Sequence, residues 1–404
     1  MIAFMKIDKK EDCYGCRACE QICPNDCISM IEDAEGFIYP FVDENKCNEC
    51  GLCVKHCPKT NNTIFEGSQL KEPEVFAAKL KNEQVLLRSS SGGMFSAIAE
   101  LVIEKGGVVF GCALDKNLIA KHICVENKAD LEGLRGSKYV QSDLNSSYLK
   151  ARDYLIEGRR VFFTGTPCQI SGLKAFLGKG SNNLLTADLV CHGTPSQKLF
   201  SKYLDWLQNK LGEQILTYEF RNKDRIGWGL GYKAATRTKS KYSHGDFDPY
   251  YSAFLKAETY RYTCYSCKYA TTVREGDFTL ADYWGIDLCH SKFYTNKGVS
   301  LLLINSLKGQ DFFEELKEKI DYIPSKLEYA KINNGNLERP SKKPYIRDFI
   351  YTEINKMGFD NYLKRNFKLS SKFKVGVKLF VPEPIKIALK RLLYKIMEGK
   401  YRKI

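Results

Sequence analysis

Cys13-Tyr14-Gly15-Cys16-Arg17-Ala18-Cys19-Glu20-Gln21-Ile22-Cys23-Pro24 is echoed by Cys47-Asn48-Glu49-Cys50-Gly51-Leu52-Cys53-Val54-Lys55-His56-Cys57-Pro58, each cysteine offset from its counterpart by 34 residues. In each segment three thiols share one tight loop, and a fourth follows just before a proline that turns the chain away. Such a loop caps three corners of an iron-sulfur cubane while the fourth cysteine reaches the other cluster. The spacing therefore predicts two 4Fe-4S clusters. One is held by Cys13, Cys16, Cys19 and Cys57, the other by Cys47, Cys50, Cys53 and Cys23. Four-cysteine zinc sites use separated Cys-x2-4-Cys pairs and have no need of three clustered thiols before Cys-Pro. Cys27 falls outside both motifs and reads as a packed thiol.

The chain has 404 residues, more than one hydrophobic core usually organises, so two or three domains are expected. Its sixteen cysteines fall at metal spacings rather than in scattered pairs, which favours reduced cytosol over a disulfide scaffold. The charged N-terminus lacks an apolar signal core, and no run approaches the ~18 apolar residues of a membrane span. A cytoplasmic protein is expected. Of the net charge of +14, most lies in residues 361–404, where thirteen Lys and Arg face only Glu383 and Glu398. Within that tail, residues 384–397 place Ile385, Ala388, Leu389, Leu392, Leu393 and Ile396 on one helix face. Such a helix either meets an anionic membrane surface from the inner side or packs on its own domain with a solvated basic face. No recognition module accompanies the charge, so nucleic-acid binding is not expected.

Working outward from the cysteine repeat, residues 1–60 form a first domain, and polar residues 61–73 read as a linker. Residues 74–340 form the main domain, and 341–404 a basic, partly helical extension. From Val75 on, short β-branched or aromatic runs alternate with helical segments, the pattern of a mostly parallel α/β sheet. Strands are predicted over 75–79, 108–114, 160–163, 184–190 and 301–304. Helices are predicted over 94–104, 146–157 and 169–177, with another after Pro195. Residues 215–279, rich in Tyr, Gly and charge, give no clear assignment.

A second thiol set lies in the main domain. Cys168 and Cys191 each follow a predicted strand, at the carboxyl ends where open α/β sheets place their binding crevice. Cys264 and Cys267 add a Cys-x2-Cys pair. From spacing alone, these four suit structural zinc as well as a further cubane. Cys112, Cys124 and Cys289 lack partner spacing and read as core. Arg88 precedes Ser89-Ser90-Ser91-Gly92-Gly93, which opens into the helix 94–104, so free N–H groups could meet a pyrophosphate. Serine-rich turns also cap helices with no ligand at all. The segment Gly136-Ser137-Lys138-Tyr139-Val140-Gln141-Ser142 carries the same two readings. Neither stretch matches a Rossmann or Walker motif. His192 is a weak catalytic candidate as proton donor, since a lone turn histidine is more often structural.

Taken together, these segments resemble the beta subunits of coenzyme F420 hydrogenases and dehydrogenases, in the form fused to a ferredoxin. The resemblance spans about residues 1–310. It is carried by the repeat and the two polar loops, then by Gly165-Thr166-Pro167-Cys168-Gln169-Ile170 and Asp188-Leu189-Val190-Cys191-His192-Gly193. Cys264-Tyr265-Ser266-Cys267, Arg274-Glu275-Gly276-Asp277 and Asp282-Tyr283-Trp284-Gly285 continue it in order. It implies a bacterial-type ferredoxin fold with two 4Fe-4S clusters followed by an α/β flavin-binding domain; with the basic helical tail read above, the expectation is an α+β multidomain protein. It also implies FAD, bound through Arg88, Ser89, Ser90, Ser91, Gly92, Gly93, Ser137, Lys138, Tyr139 and Gln141. A third 4Fe-4S cluster would sit on Cys168, Cys191, Cys264 and Cys267. Function then reads as an oxidoreductase linking a ferredoxin-like carrier to an organic substrate. The alternatives are a non-catalytic relay subunit, or a ferredoxin fused to a module with structural zinc.

Overall fold

The computed structural model describes residues 6–60, 69–366 and 385. In the cysteine-rich module the duplication is visible in the backbone. Gly15 and Glu49 occupy matching places in the two repeats, as do Arg17 and Gly51, and all four have positive φ. The loop geometry thus demands left-handed residues at both places, and each repeat uses glycine at a different one. The short helices Ala18–Gln21 and Leu52–Lys55 follow these turns. Between them β1 (Ile28–Glu32) and β2 (Ile38–Val42) pair antiparallel.

The main sheet has eight strands. They are β3 (Gln69–Leu80), β4 (Val108–Leu114), β5 (Ala120–Val125), β6 (Val161–Gly165), β7 (Leu184–Leu189), β11 (Phe278–Asp282), β12 (Ser300–Ser306) and β13 (Ile320–Pro324). Their spatial order is β13-β3-β12-β11-β7-β6-β4-β5. The sheet is mixed, which corrects the expectation of a mostly parallel one. Only β11, β7, β6 and β4 run parallel to their neighbours in that central block. The five residues between β4 and β5 are too few for a crossover, so that pair closes as a hairpin. β12 likewise returns antiparallel to β11. β3 begins at Gln69, inside the stretch read as linker.

Alternation along the central strands builds two cores. Val109, Phe162 and Leu185 face one layer, packing with Met94, Ile98 and Val102 of the helix Met94–Glu104. Val108, Phe110, Val161, Phe163 and Leu184 face the other, under the helices Ser147–Ile156 and Pro167–Leu177. Tyr14, Cys16 and Ala18 of the cysteine-rich module belong to this second core. The unassigned region 215–279 forms a separate antiparallel sheet of β8 (Thr217–Phe220), β9 (Gly231–Ala235) and β10 (Ser240–His244). Its strands are short and tyrosine-rich. Tyr218, Phe220 and Tyr232 pack with Phe200 and Tyr203 of the helix Gln197–Leu211. The segment after residue 341 joins this core through Ile350, Tyr351, Ile354, Phe359 and Tyr362. The helix expected over 384–397 and the basic tail beyond residue 366 lie outside the described residues, Ile385 excepted. Among the described residues no helix is long and apolar enough to cross a membrane.

Two buried arginines fasten the cysteine-rich module. Arg347 pairs with both oxygens of Glu35, at 3.1 and 2.6 Å, and donates to the Tyr260 carbonyl. Arg261 donates through Nε to the Cys13 carbonyl at 2.7 Å and through Nη2 to the Ile38 carbonyl at 2.9 Å. Truncating Arg347 leaves the Glu35 carboxylate without its partner, and breaking such a pair costs about 3 kcal/mol. Arg347→Ala is therefore expected to lower the unfolding free energy by about that amount in anaerobic urea denaturation.

Candidate functional site

A cavity of about 1150 Å³ opens beside the carboxyl ends of β6, β7 and β11. Its volume exceeds that of most small-ligand pockets and leaves room for a dinucleotide. At one end it is walled by Cys168, Cys191, Cys264, Cys267 and Tyr14, elsewhere by the serine loop and by residues 134–142.

The thiol end is built by strand ends. β6 stops at Gly165, and Thr166 and Gln169 form a reciprocal capping box around Pro167, which starts the next helix with Cys168 in its first turn. β7 stops at Leu189, two residues before Cys191. The buried Asp188 of β7 pairs with Arg274 at 2.9 Å and accepts from the N–H groups of Glu275 and Gly276. Arg274 also donates to the carbonyls of Tyr269 and Thr271, so the chain just after Cys267 is drawn to the end of β7. Asp188 and Arg274 themselves thus brace the thiols rather than line the cavity. Burial, then the charges of Cys267 and Cys264, push the Cys168 thiol up to about 12. Cys191 is raised by burial and by Cys264, Cys168 and Cys267. Crowded thiols, of which Cys168, Cys191 and Cys264 are raised by burial and by their neighbours, suit a polynuclear cation that compensates them as thiolates.

Burial, with the charge of Cys57 among its neighbours, raises Cys13, Cys16 and Cys19. Cys23, Cys47, Cys50 and Cys53 surround a second, small cavity, which Cys27 also lines. Cys27 Sγ stands 3.3 Å from Cys23 Sγ. Among the described residues no group of three or more His, Cys, Asp or Glu is arranged to hold a single metal ion. A cubane spreads its four thiolates over four irons and does not need that convergence.

At the other end, the helix Met94–Glu104 begins at Gly93 (φ 82°) with no side-chain cap, so its N-terminus is open to an anion. Ser90 Oγ accepts from Ser137 N at 2.7 Å and binds Ser137 Oγ at 2.9 Å, joining the two polar loops. Ser89, Ser91, Lys138, Tyr139 and Gln141 complete this wall. Burial lowers the Lys138 pKa to about 8. Two expected contacts are not brought to the cavity. Arg88, last residue of the helix Glu83–Arg88, points outward and pairs with Glu132 at 3.3 Å. Gly92 backs onto the sheet, where a Cβ would come within 2.3 Å of the Ala78 carbonyl oxygen. Its absence of a side chain serves packing.

Sequence reading missed Arg221, which is buried, has φ 62° and follows the end of β8. It chelates Asp282 at 2.5 and 2.8 Å and reaches the Ser90 carbonyl and the Tyr139 hydroxyl. Burial alone would raise the Asp282 carboxyl, but Arg221 and the Trp228 N–H hold it below the usual range. Trp228 and Trp284 stack at 5.1 Å beside this pair, and Arg221 lies 5.0 Å over Trp284. Only the Asp282–Gly285 motif hinted at this wall. His192 is accessible to water yet enclosed by protein at the cavity edge, and burial lowers its pKa.

Comparison with known proteins follows the same division. Residues 75–150 match the N-terminal family model of the coenzyme F420 hydrogenase/dehydrogenase beta subunit, and 158–328 match its C-terminal model. Residues 12–61 match the 4Fe-4S dicluster domain. The chain is similar to the coenzyme F420-dependent sulfite reductase of Methanocaldococcus jannaschii, 28% identical over 166 residues. That alignment covers 40% of this chain and 24% of the relative. It is also similar to a subunit of the F(420)H(2) dehydrogenase of Methanosarcina mazei, 26% identical over 171 residues, 39% of this chain and 46% of that relative. The chain thus spans less than half the length of either relative. Among solved structures, a chain of the F420-reducing NiFe hydrogenase complex from Methanosarcina barkeri aligns with a TM-score of 0.47 and 16% identity, over 73% of this chain and 95% of that one.

The cavity wall also holds a titratable group that must stay neutral. His122 Nε2 donates to the Thr164 carbonyl at 2.9 Å, Ser142 Oγ stands 2.9 Å from Nδ1, and Gln169 donates to Ser142. A second ring proton would break this chain, and burial lowers the His122 pKa from 6.5 to about 4. Between those values the unfolded chain binds the extra proton, so stability falls as pH falls. Over that window the wild type should lose about 3 kcal/mol more than His122→Gln, measured by denaturation at stepped pH.

Proposed function

Because this chain belongs to the family of coenzyme F420 hydrogenase/dehydrogenase beta subunits and carries a 4Fe-4S dicluster domain ahead of the family region, we propose that it is an iron-sulfur flavoprotein oxidoreductase. It would pass electrons between a ferredoxin-like carrier and an organic substrate. The observation that carries this reading is the meeting, on one cavity, of a half-buried four-thiol set and an uncapped helix N-terminus.

In this reading Cys13, Cys16, Cys19 and Cys57 hold one cluster, and Cys23, Cys47, Cys50 and Cys53 the second. Cys168, Cys191, Cys264 and Cys267 hold a third. FAD lies along Ser89–Ser91, Gly93, Ser137, Lys138, Tyr139 and Gln141, with its pyrophosphate toward the helix N-terminus. When bound, the clusters supply single-electron transfer and the flavin supplies conversion between single electrons and a pair. The protein's own part is to hold and enclose these groups. Arg221 ties the serine loop, Tyr139 and Asp282 into one wall, so the two polar loops keep a common spacing. His192, at the cavity edge, is placed to exchange a proton with a substrate there.

A second reading makes the chain an electron-relay component whose substrate site belongs to a larger partner. The Methanosarcina mazei relative bears the name of a subunit, which favours it. Steady turnover of substrate by the purified chain alone would exclude it.

Anaerobic analysis should find about twelve iron and one FAD per chain. Cys191→Ser should lose about four iron and keep the other eight. About eight iron in the wild type, with zinc beside it, would overturn the third cluster. Ser137→Asp sets a carboxylate against the proposed pyrophosphate and should weaken flavin binding about tenfold, or ~1.4 kcal/mol. Arg88→Ala, whose side chain faces away, should leave flavin content unchanged.

A further inference from the structure

Tyr14 lies where the cysteine-rich module meets the cavity. It is 5% exposed, and its hydroxyl is buried with no hydrogen-bond partner. The ring is otherwise well held. It packs against Tyr269 at 5.4 Å, Lys59 Nζ lies 5.2 Å over it, and the Tyr14 carbonyl accepts from Gln141 at 3.1 Å. A phenol locked in this way cannot swing out to find water, and an unsatisfied buried hydroxyl is costly. It needs an acceptor within the site.

Sulfur acceptors line the same cavity. Tyr14 lines the cavity together with Cys168, Cys264 and Cys267. Tyr14 and Cys16 share one core, and Cys168 and Cys267 pack against it. Two of these thiols belong to the cavity set and one to the first loop set. The two sets are close neighbours here, because the helix Pro167–Leu177 presents Gly172 to Cys16, where a Cβ would come within 3.2 Å of Cys16 Sγ. Tyr14 stands at that junction.

We propose that the Tyr14 hydroxyl donates a hydrogen bond into the Cys168, Cys191, Cys264 and Cys267 site and raises its reduction potential. The inference rests on the reading of that site as a third 4Fe-4S cluster. Hydrogen bonds to cluster sulfur stabilise the more negative, reduced state and so move the potential upward. The phenol keeps its proton and is neither oxidised nor reduced, so Tyr14 is a positioning residue. Its placement favours electron arrival at the cavity side of the junction.

The test compares anaerobic wild type with Tyr14→Phe, which removes only the oxygen and keeps the ring contacts. Iron analysis comes first, and the third cluster's paramagnetic signal is identified as the one missing from Cys191→Ser. With about twelve iron retained in both proteins, the midpoint potential of that signal should move to a more negative value in Tyr14→Phe. The signal from the Cys23, Cys47, Cys50 and Cys53 cluster should not move. An unchanged third-cluster potential overturns the proposal, as does a shift confined to the first loop cluster. A second measurement needs no variant: the reduced third cluster of the wild type should show a hyperfine coupling to a proton that exchanges in deuterium oxide, and its absence overturns the proposal. About eight iron in the wild type instead overturns the third cluster itself, an outcome distinct from an intact cluster with an unmoved potential.

Discussion

The buried guanidinium of Arg261 is the interaction on which the arrangement depends. From the turn just before Cys264 it donates to the backbone of both the first cysteine loop and β2, and it lies 4.1 Å over the Tyr39 ring. Its own N–H donates to the Thr194 carbonyl, three residues beyond Cys191. One residue therefore links the loop of Cys13, the segment of Cys191 and the segment of Cys264. A buried cation is tolerable only when its donors are met, and carbonyl oxygens with an aromatic face meet them without a second net charge. The cysteine-rich module is held in one orientation by groups that also shape the cavity.

The second constraint is the crowding of thiols. A thiol buried among others resists losing its proton, and the effect is seen at Cys16 and Cys19 of the first loop set and at Cys191 of the cavity set. The chain meets this by rigid support together with the charges of Arg261 and Arg274, which favour the nearby thiolates. Asp188 and Arg274 saturate each other and the surrounding backbone, and Asp277 accepts from Thr186 and Ser306. These polar groups lie in the sheet behind the thiols, where their hydrogen bonds lock β7, β11 and β12 in register. Around the other half of the cavity Arg221 and Asp282 do the same work for the polar loops.

Local signals located many elements. The helix Met94–Glu104 and the strand Val108–Leu114 stand at their expected bounds, because a glycine start and an unbroken apolar run are short-range features. Pro167 and the capping box around it explain why the helix holding Cys168 begins two residues before its expected start. The antiparallel strands of 217–244 escaped notice because each is only four or five residues long and draws its stability from tyrosines elsewhere. Arg88 illustrates the opposite error. It adjoins the serine loop in sequence, but the helix it ends turns its side chain to Glu132.

The sequence by itself determined the number, order and spacing of the thiols, and the glycine and serine turns that expose backbone N–H groups. These depend on neighbours a few residues away, where covalent geometry is the governing constraint. Only the tertiary structure decided that Cys168, Cys191 and the Cys264 pair share one cavity, that Tyr14 stands beside them, and that Arg221 braces the polar loops at its other end. Those meetings join segments tens to hundreds of residues apart, and strand order, burial and long-range hydrogen bonds select them after local propensity has had its say.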